Sequence, residues 1–468
     1  MALFDSLLSK LKSSKPAKTV RSQSGRAFMP TDTATTPAAA VLVAEFDGKR
    51  GPEVSKHLSD LLTQDPVIEV YRRNEALKLS GQGNLADQLV AAAGQGHNWL
   101  TEVSADVLVW GDIADTGVLT IRFLPAASDA DGAAGVFGLG DQLLLPFPFA
   151  AEFEALVRVA AVAAAQGRPR ARAAEVLGAT LAPLERFLGS PPAGLALEQQ
   201  ASVYIVLGHA LATEFRVNPE AAGLERALAA YQTACGALTR ETAPVAWLLA
   251  QNHRAATLQA LADHSKDPQR LREAVAAYRD IAASIERARH PNDWGLAYMR
   301  LGMALYKLTG QEGKAAQFKE ASIAFENALG VFTRATTPHR WAELMNHYGV
   351  LMMTLGEHVS ALAPLQQAVA AFKKALEVRR RDQVPLLWAQ TTNNLGAAAF
   401  ALAKRNGDQT MLQTASSCFE GAIDVYREHG QTPRVHVIEK NLQRVTRLLE
   451  TRRTAAAASA GQEKGRGR

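Results

Sequence analysis

The chain has 468 residues, 47% apolar and 21% charged, enough for two to four domains with full cores; its lone cysteines, Cys235 and Cys418, exclude a disulfide framework and a zinc ribbon. The net charge of +5 sits in the ends: Lys10, Lys12, Lys15, Lys18, Arg21 and Arg26 against Asp5, and Arg452, Arg453, Lys464, Arg466 and Arg468 against Glu463, leaving residues 31–450 at −4. A folded body of that sign is a poor general nucleic-acid binder, because duplex affinity comes largely from neutralised phosphates, so no specific nucleic acid is expected and an anionic partner is left only to the tails.

Residues 1–15 place Leu3, Phe4, Leu7, Leu8 and Leu11 at helical spacing, with lysines trailing. This spacing predicts a short amphipathic helix with three candidate surfaces: an anionic membrane or granule, the chain's own body, or a partner protein. The lysines follow the apolar residues, so the segment is not a secretory signal, and no stretch approaches the ~20 apolar residues of a spanning helix. The expected location is the cytoplasm, with peripheral contact at the inner membrane through this helix. Residues 16–38, rich in Ser, Thr, Lys, Pro and Ala, read as a flexible linker.

Residues 39–125 alternate. Strands are predicted at 41–46, 67–71, 105–113 and 118–124, and helices at 52–64 and 85–103, which implies a small α/β sheet. The segment Ser104-Ala-Asp106-Val-Leu-Val-Trp-Gly111-Asp-Ile113, following a strand, helix, strand and helix, resembles the closing strand of the TolB N-terminal domain and its FlgO-like relatives. That resemblance implies a protein-contacting or regulatory module. Residues 126–190 read as a linker and bridging helices. The glycine-rich stretch Asp131–Gly140 lacks GK[ST] and GxGxxG, and Asp141-Gln-Leu-Leu-Leu-Pro after it reads as a strand; a flexible hairpin or loop is expected, not a phosphate cradle.

Residues 195–450 repeat. Pro244-x-x-Trp247, Pro291-x-x-Trp294, Pro338-x-x-Trp341 and Pro385-x-x-Trp388 recur every 47 residues. Gly302, Gly349 and Gly396 follow the last three tryptophans by eight, and Gly208 holds the same frame earlier. An aromatic recurs at Tyr231, Tyr278, Phe325, Phe372 and Phe419, and Arg240, Arg287, Arg334 and Arg381 precede each proline by four. Each unit reads as two antiparallel helices, the first starting at the proline and the second carrying the aromatic among small residues. A last helix near 434–450 caps the stack, and residues 451–468 read as a disordered basic tail.

Trp294, Leu301-Gly302, Ala321, Phe325, Ala328 and Pro338 match the pattern of the tetratricopeptide repeat, which the region resembles with a period of 47 instead of 34. The resemblance implies a mainly α fold, an α-solenoid of about five helix pairs, joined to the small α/β domain. It also implies that the positions three and two before each glycine face a concave groove: Asn252 and His253, Met299 and Arg300, Asn346 and His347, Asn393 and Asn394. Asparagine amides carry a donor and an acceptor, so such a ladder either pairs with the backbone of an extended partner segment or ties adjacent helices together. The repeated arginine is expected in the last turn of each second helix, offsetting the helix dipole.

No HExxH, GxSxG or spaced Cys–His pattern is present, so no catalytic residue, metal or cofactor is expected. The favoured function is a non-catalytic interaction scaffold whose groove binds a protein segment. The alternative is a regulatory sensor in which the α/β domain binds a small molecule and the repeats relay its presence.

Overall fold

The computed structural model describes residues 37–81, 85–126, 133–165, 170–190 and 192–466, with side chains to 454 except at 86, 170–174 and 221. It is mostly helical with one small sheet near its N-terminus. The chain divides into two compact units, one ending at Ala297 and the next starting at Tyr298.

In the first unit, β1 (Ala39–Glu45), β2 (Ile68–Ala76), β3 (Val107–Ile113), β4 (Val118–Pro125) and β5 (Leu143–Pro146) form a sheet ordered β2-β1-β3-β4-β5. β1 runs parallel to β2 and β3, while β4 and β5 are added antiparallel. The run Ala-Ala-Val-Leu-Val-Ala suits a central strand covered on both faces. Ala39, Val41 and Val43 join one core with α1 (Gly51–Thr63) and α3 (Ala151–Ala164); Ala40, Leu42 and Ala44 join another with α2 (Leu85–Val103). β2 is buried only at Ile68 and otherwise half-buried or exposed, as suits an edge strand. Asp106 accepts a hydrogen bond from the Ala40 amide at 2.9 Å, tying the start of β3 to β1.

One boundary of the sheet region differs from the sequence reading. The sheet does not stop at 125, because β5 pairs with β4 and α3 covers its face; residues 143–164 therefore belong to the α/β fold. Leu143 and Leu145 point into the core that α3 also fills, so the segment gains burial only as part of the sheet. That core continues through α4 (Arg170–Leu181) into α5 (Leu197–Val217), α6 (Ala221–Ala237) and α7 (Pro244–Ser265). α8 (Pro268–Ser284) and α9 (Pro291–Glu312) follow, the unit boundary falling within α9.

The second unit continues with α10 (Ala315–Leu329), α11 (Pro338–His358), α12 (Leu362–Leu376), α13 (Pro385–Asn406), α14 (Gln409–Glu428) and α15 (Thr432–Arg466). Four first helices start on the repeat proline itself, whose missing N–H is lost at no cost there. α15 runs on to Arg466 where a disordered tail was expected; Ala455–Ala458 supply strong helix formers. Its Arg452 donates to the carbonyls of Gly407 and Ala403 at 3.0 and 3.1 Å, closing the end of α13.

The repeat frame has a direct packing cause. A Cβ on Gly208, Gly302, Gly349 or Gly396 would stand 2.6–3.0 Å from the ring of Tyr231, Phe325, Phe372 or Phe419. All four rings are fully buried. The repeated arginines lie three to five residues beyond the second helices, in the connecting turns, so they do not close a last helical turn. Arg287, Arg334 and Arg381 instead cover the rings of Trp294, Trp341 and Trp388, at 4.7, 5.9 and 5.6 Å from the ring centroids. At such exposed sites each contact is worth roughly 0.5–1 kcal/mol.

Gly349→Val should cost about 1–3 kcal/mol through overpacking against Phe372. Gly310→Ala, where a Cβ meets nothing within 4 Å, should be neutral or stabilising by up to ~1 kcal/mol. Chemical denaturation of the two variants checks both.

Candidate functional site

The site lies in the first unit, where the loop before β5 meets α5, α6 and α7. Gly135 adopts φ +75°, and a Cβ there would stand 2.6 Å from Ala212 Cβ and 2.9 Å from the His209 carbonyl. Only glycine lets this loop lie so close to α5. Thr213 and Arg216 donate to the Gly135 carbonyl at 3.4 and 3.1 Å. Ala134, Val136 and Phe137 are buried. The glycine-rich stretch, from Ala133 on, is thus a packed loop, not the flexible one expected.

This loop delivers Asp141, 4% exposed, into the interior. Its Oδ2 accepts from the Gly138 amide at 2.7 Å and lies 3.1 Å from His209 Nε2; its Oδ1 lies 3.2 Å from His253 Nε2. His209 is wholly buried, and its Nδ1 stands 2.7 Å from the Tyr231 hydroxyl. The His209 and His253 rings meet edge to face at 4.4 Å, His253 stacks on Tyr231 at 5.4 Å, and Phe137 covers His209 at 4.5 Å. The same tyrosine packs against Gly208, so the repeat's glycine–aromatic pair also positions this cluster.

Burial dominates the ionisation of His209, pushing its pKa down to about 4 against the pull of Asp141. Asp141 is also desolvated, but the two histidines beside it hold its carboxyl well below the usual range. Burial, then the Asp141 charge, pushes the Tyr231 phenol well up. At neutral pH the cluster therefore contains a carboxylate, a neutral His209 imidazole and a phenol. Among the described residues, Asp141, His209 and His253 are the group of His, Cys, Asp and Glu able to hold a metal ion, their donor atoms lying within 4.8 Å of one another.

Asp141 also lines a cavity of about 300 Å³. Leu85 and Leu89 of α2, Leu144 of β5, Ile205 of α5 and Leu249 of α7 form its apolar wall. Its polar groups include Arg122, Gln142, Ser202 and Glu198. Arg122 is buried, donating to Asp112 and Gln142 at 3.0 Å each, while its guanidinium covers the Trp110 ring.

The expected groove residues take different places. Asn252 is buried and donates to the Leu248 carbonyl of its own helix at 2.8 Å, and His253 faces Asp141. Neither faces an open groove, because α7 packs here against α5 and the loop. In the second unit Met299, Arg300 and Asn346 are buried. Asn394 Nδ2 donates to Asn346 Oδ1 at 3.2 Å, so these two asparagines tie α13 to α11. His347 is half-buried and stacked parallel to Phe325, with its pKa lowered by burial; Asn393 is half-buried. Cys235 and Cys418 are half-buried, with thiols pushed up to about 11 by burial. Leu3, Phe4, Leu7, Leu8 and Leu11 lie outside the described residues.

The sequence reading missed Asp141 and His209. The available signal was His209 itself, a lone imidazole within the apolar run Ala201–Ala212 directly after the frame glycine. No family model matches the chain, and no curated protein matches it.

Asp141 and His209 both titrate lower in the folded chain, so the unfolded chain binds more protons in acid. The stabilisation from His209 is complete above its ordinary value of about 6.5 and lost as pH falls through about 4. The urea midpoint should therefore drop from pH 7 to pH 4, and drop less in His209→Gln.

Proposed function

We propose that the protein is a non-catalytic interaction scaffold in which the helix pairs form a tetratricopeptide-like α-solenoid. The observation that carries this reading is the 47-residue recurrence of one packing unit: a bare glycine against an aromatic ring, with arginine over the tryptophan of the next first helix. Repeats of that kind propagate by neighbour contacts and offer an extended surface, which suits a protein segment better than a small substrate.

In the second unit the partner would meet His347, Asn393 and the apolar residues beside them. Leu386 and Leu387 are 37% and 45% exposed in the first turn of α13. Asn393 is half-buried, and its side-chain amide offers both a donor and an acceptor to the backbone of an extended segment. Asn346 and Asn394 support the surface from below by holding α11 to α13. The TolB-like resemblance of the sheet region adds a second protein-contacting module to the scaffold, in the cytoplasm.

Affinity capture with the full chain tests this. The double variant His347→Ala/Asn393→Ala should keep its helical circular dichroism and recover its partner several-fold less well. Equal recovery would sink the groove assignment.

The cavity favours a second reading, a regulatory sensor. Residues of the sheet region and of the first helix pairs line one space of about 300 Å³, so a small molecule there touches both. A thermal-shift screen of the full chain should find a ligand whose stabilisation vanishes when Leu249→Trp fills the space; a ligand effect that survives this change would place binding elsewhere.

A further inference from the structure

We propose that Asp141, His209 and His253 form a binding site for a divalent first-row transition ion of the Zn²⁺ class, which clamps the loop before β5 to α5 and α7. This inference is independent of the scaffold reading, since it concerns the interior of the first unit and needs no partner.

Two imidazole nitrogens and a carboxylate are a donor set for Zn²⁺ and its neighbours, whereas Ca²⁺ takes six to eight oxygens. Two ligands at 2.0–2.1 Å from a tetrahedral ion stand about 3.4 Å apart. The separations from the carboxylate oxygens to His209 Nε2 and His253 Nε2, 3.1 and 3.2 Å, need only a slight opening to admit one.

The orientation of His209 is the second observation. Its Nε2 is buried and, although 3.1 Å from Asp141 Oδ2, is not aligned for a hydrogen bond to it. Its other nitrogen is held by the Tyr231 hydroxyl at 2.7 Å. An outer hydrogen bond at Nδ1 with Nε2 left for the ion is how ligating histidines are commonly oriented. The Gly138 amide does the same for the carboxylate, donating to Oδ2. These outer partners come from elements already fixed by packing: Tyr231 by Gly208, and the loop by Gly135.

An ion here would offset a carboxylate held in a dry interior. Three protein donors leave a fourth position open, and Asp141 itself forms part of the cavity wall. Water or a ligand donor can complete the coordination at that fourth position.

The test uses the full chain, freed of metal by chelation and titrated with Zn²⁺ by calorimetry and with Co²⁺ by visible absorption. The expected result is one ion per chain, a raised melting temperature, and a Co²⁺ spectrum of nitrogen and oxygen ligation. His253→Gln and Asp141→Asn should each lower affinity at least tenfold, while His264→Gln, a histidine outside the cluster, should change nothing. Tyr231→Phe guards against variants that fail to fold, because three of the other four frames carry a phenylalanine in that place, Phe325, Phe372 and Phe419. It should weaken binding by roughly ten- to a hundredfold and shift the Co²⁺ spectrum. Failure of the wild-type chain to take up one ion, or equal uptake by His253→Gln and Asp141→Asn, would overturn the assignment.

Discussion

A helix with a bare Cα can seat an aromatic ring from its neighbour; a helix with a methyl group there cannot without displacing one of them. That contact between Gly208 and Tyr231, Gly302 and Phe325, Gly349 and Phe372, and Gly396 and Phe419 fixes the depth at which each second helix lies on its first. In the remaining frame Ala255 stands in the glycine position, opposite the Tyr278 helix, and both are buried. Rigid rings set against backbone leave little freedom for alternative packing, which is how one short pattern dictates a long stretch of structure.

The first unit adds a cost to that scheme. Its first repeat aromatic, Tyr231, carries a hydroxyl that must be satisfied when buried, and the helix opposite carries His209. Those groups are matched to a carboxylate delivered by a loop more than sixty residues earlier in the chain. The loop reaches them because Gly135 permits its approach and Phe137 covers the imidazole. Sheet, loop and first helix pairs consequently share one hydrophobic core, so the α/β region is not a separate bead joined by a linker.

The repeated arginines show how a periodic residue can be assigned to the wrong partner. Four residues before proline, the sequence places them near a helix end, and a dipole role follows naturally. The helices end sooner, at Ala237, Ser284, Leu329 and Leu376, and the freed side chains of three of them settle on the next tryptophan. The asparagine ladder divides in the same way: Asn346 and Asn394 satisfy each other, while Asn252 satisfies its own helix.

The +5 charge, the small alternating sheet region, the 47-residue helix pairs and their proline starts were all determined by local composition and spacing. These are properties of neighbouring residues and of one helical or strand period, which a linear reading captures. The fifth strand's membership of the sheet, the single core through α7, and the meeting of Asp141, His209 and His253 were decided only by tertiary structure. The two histidines are 44 residues apart and the aspartate 68 from the nearer, and no periodicity links a loop to the interior of two helices. Their convergence follows from packing: a glycine that lets a loop in, and buried polar groups that must find one another once water is excluded.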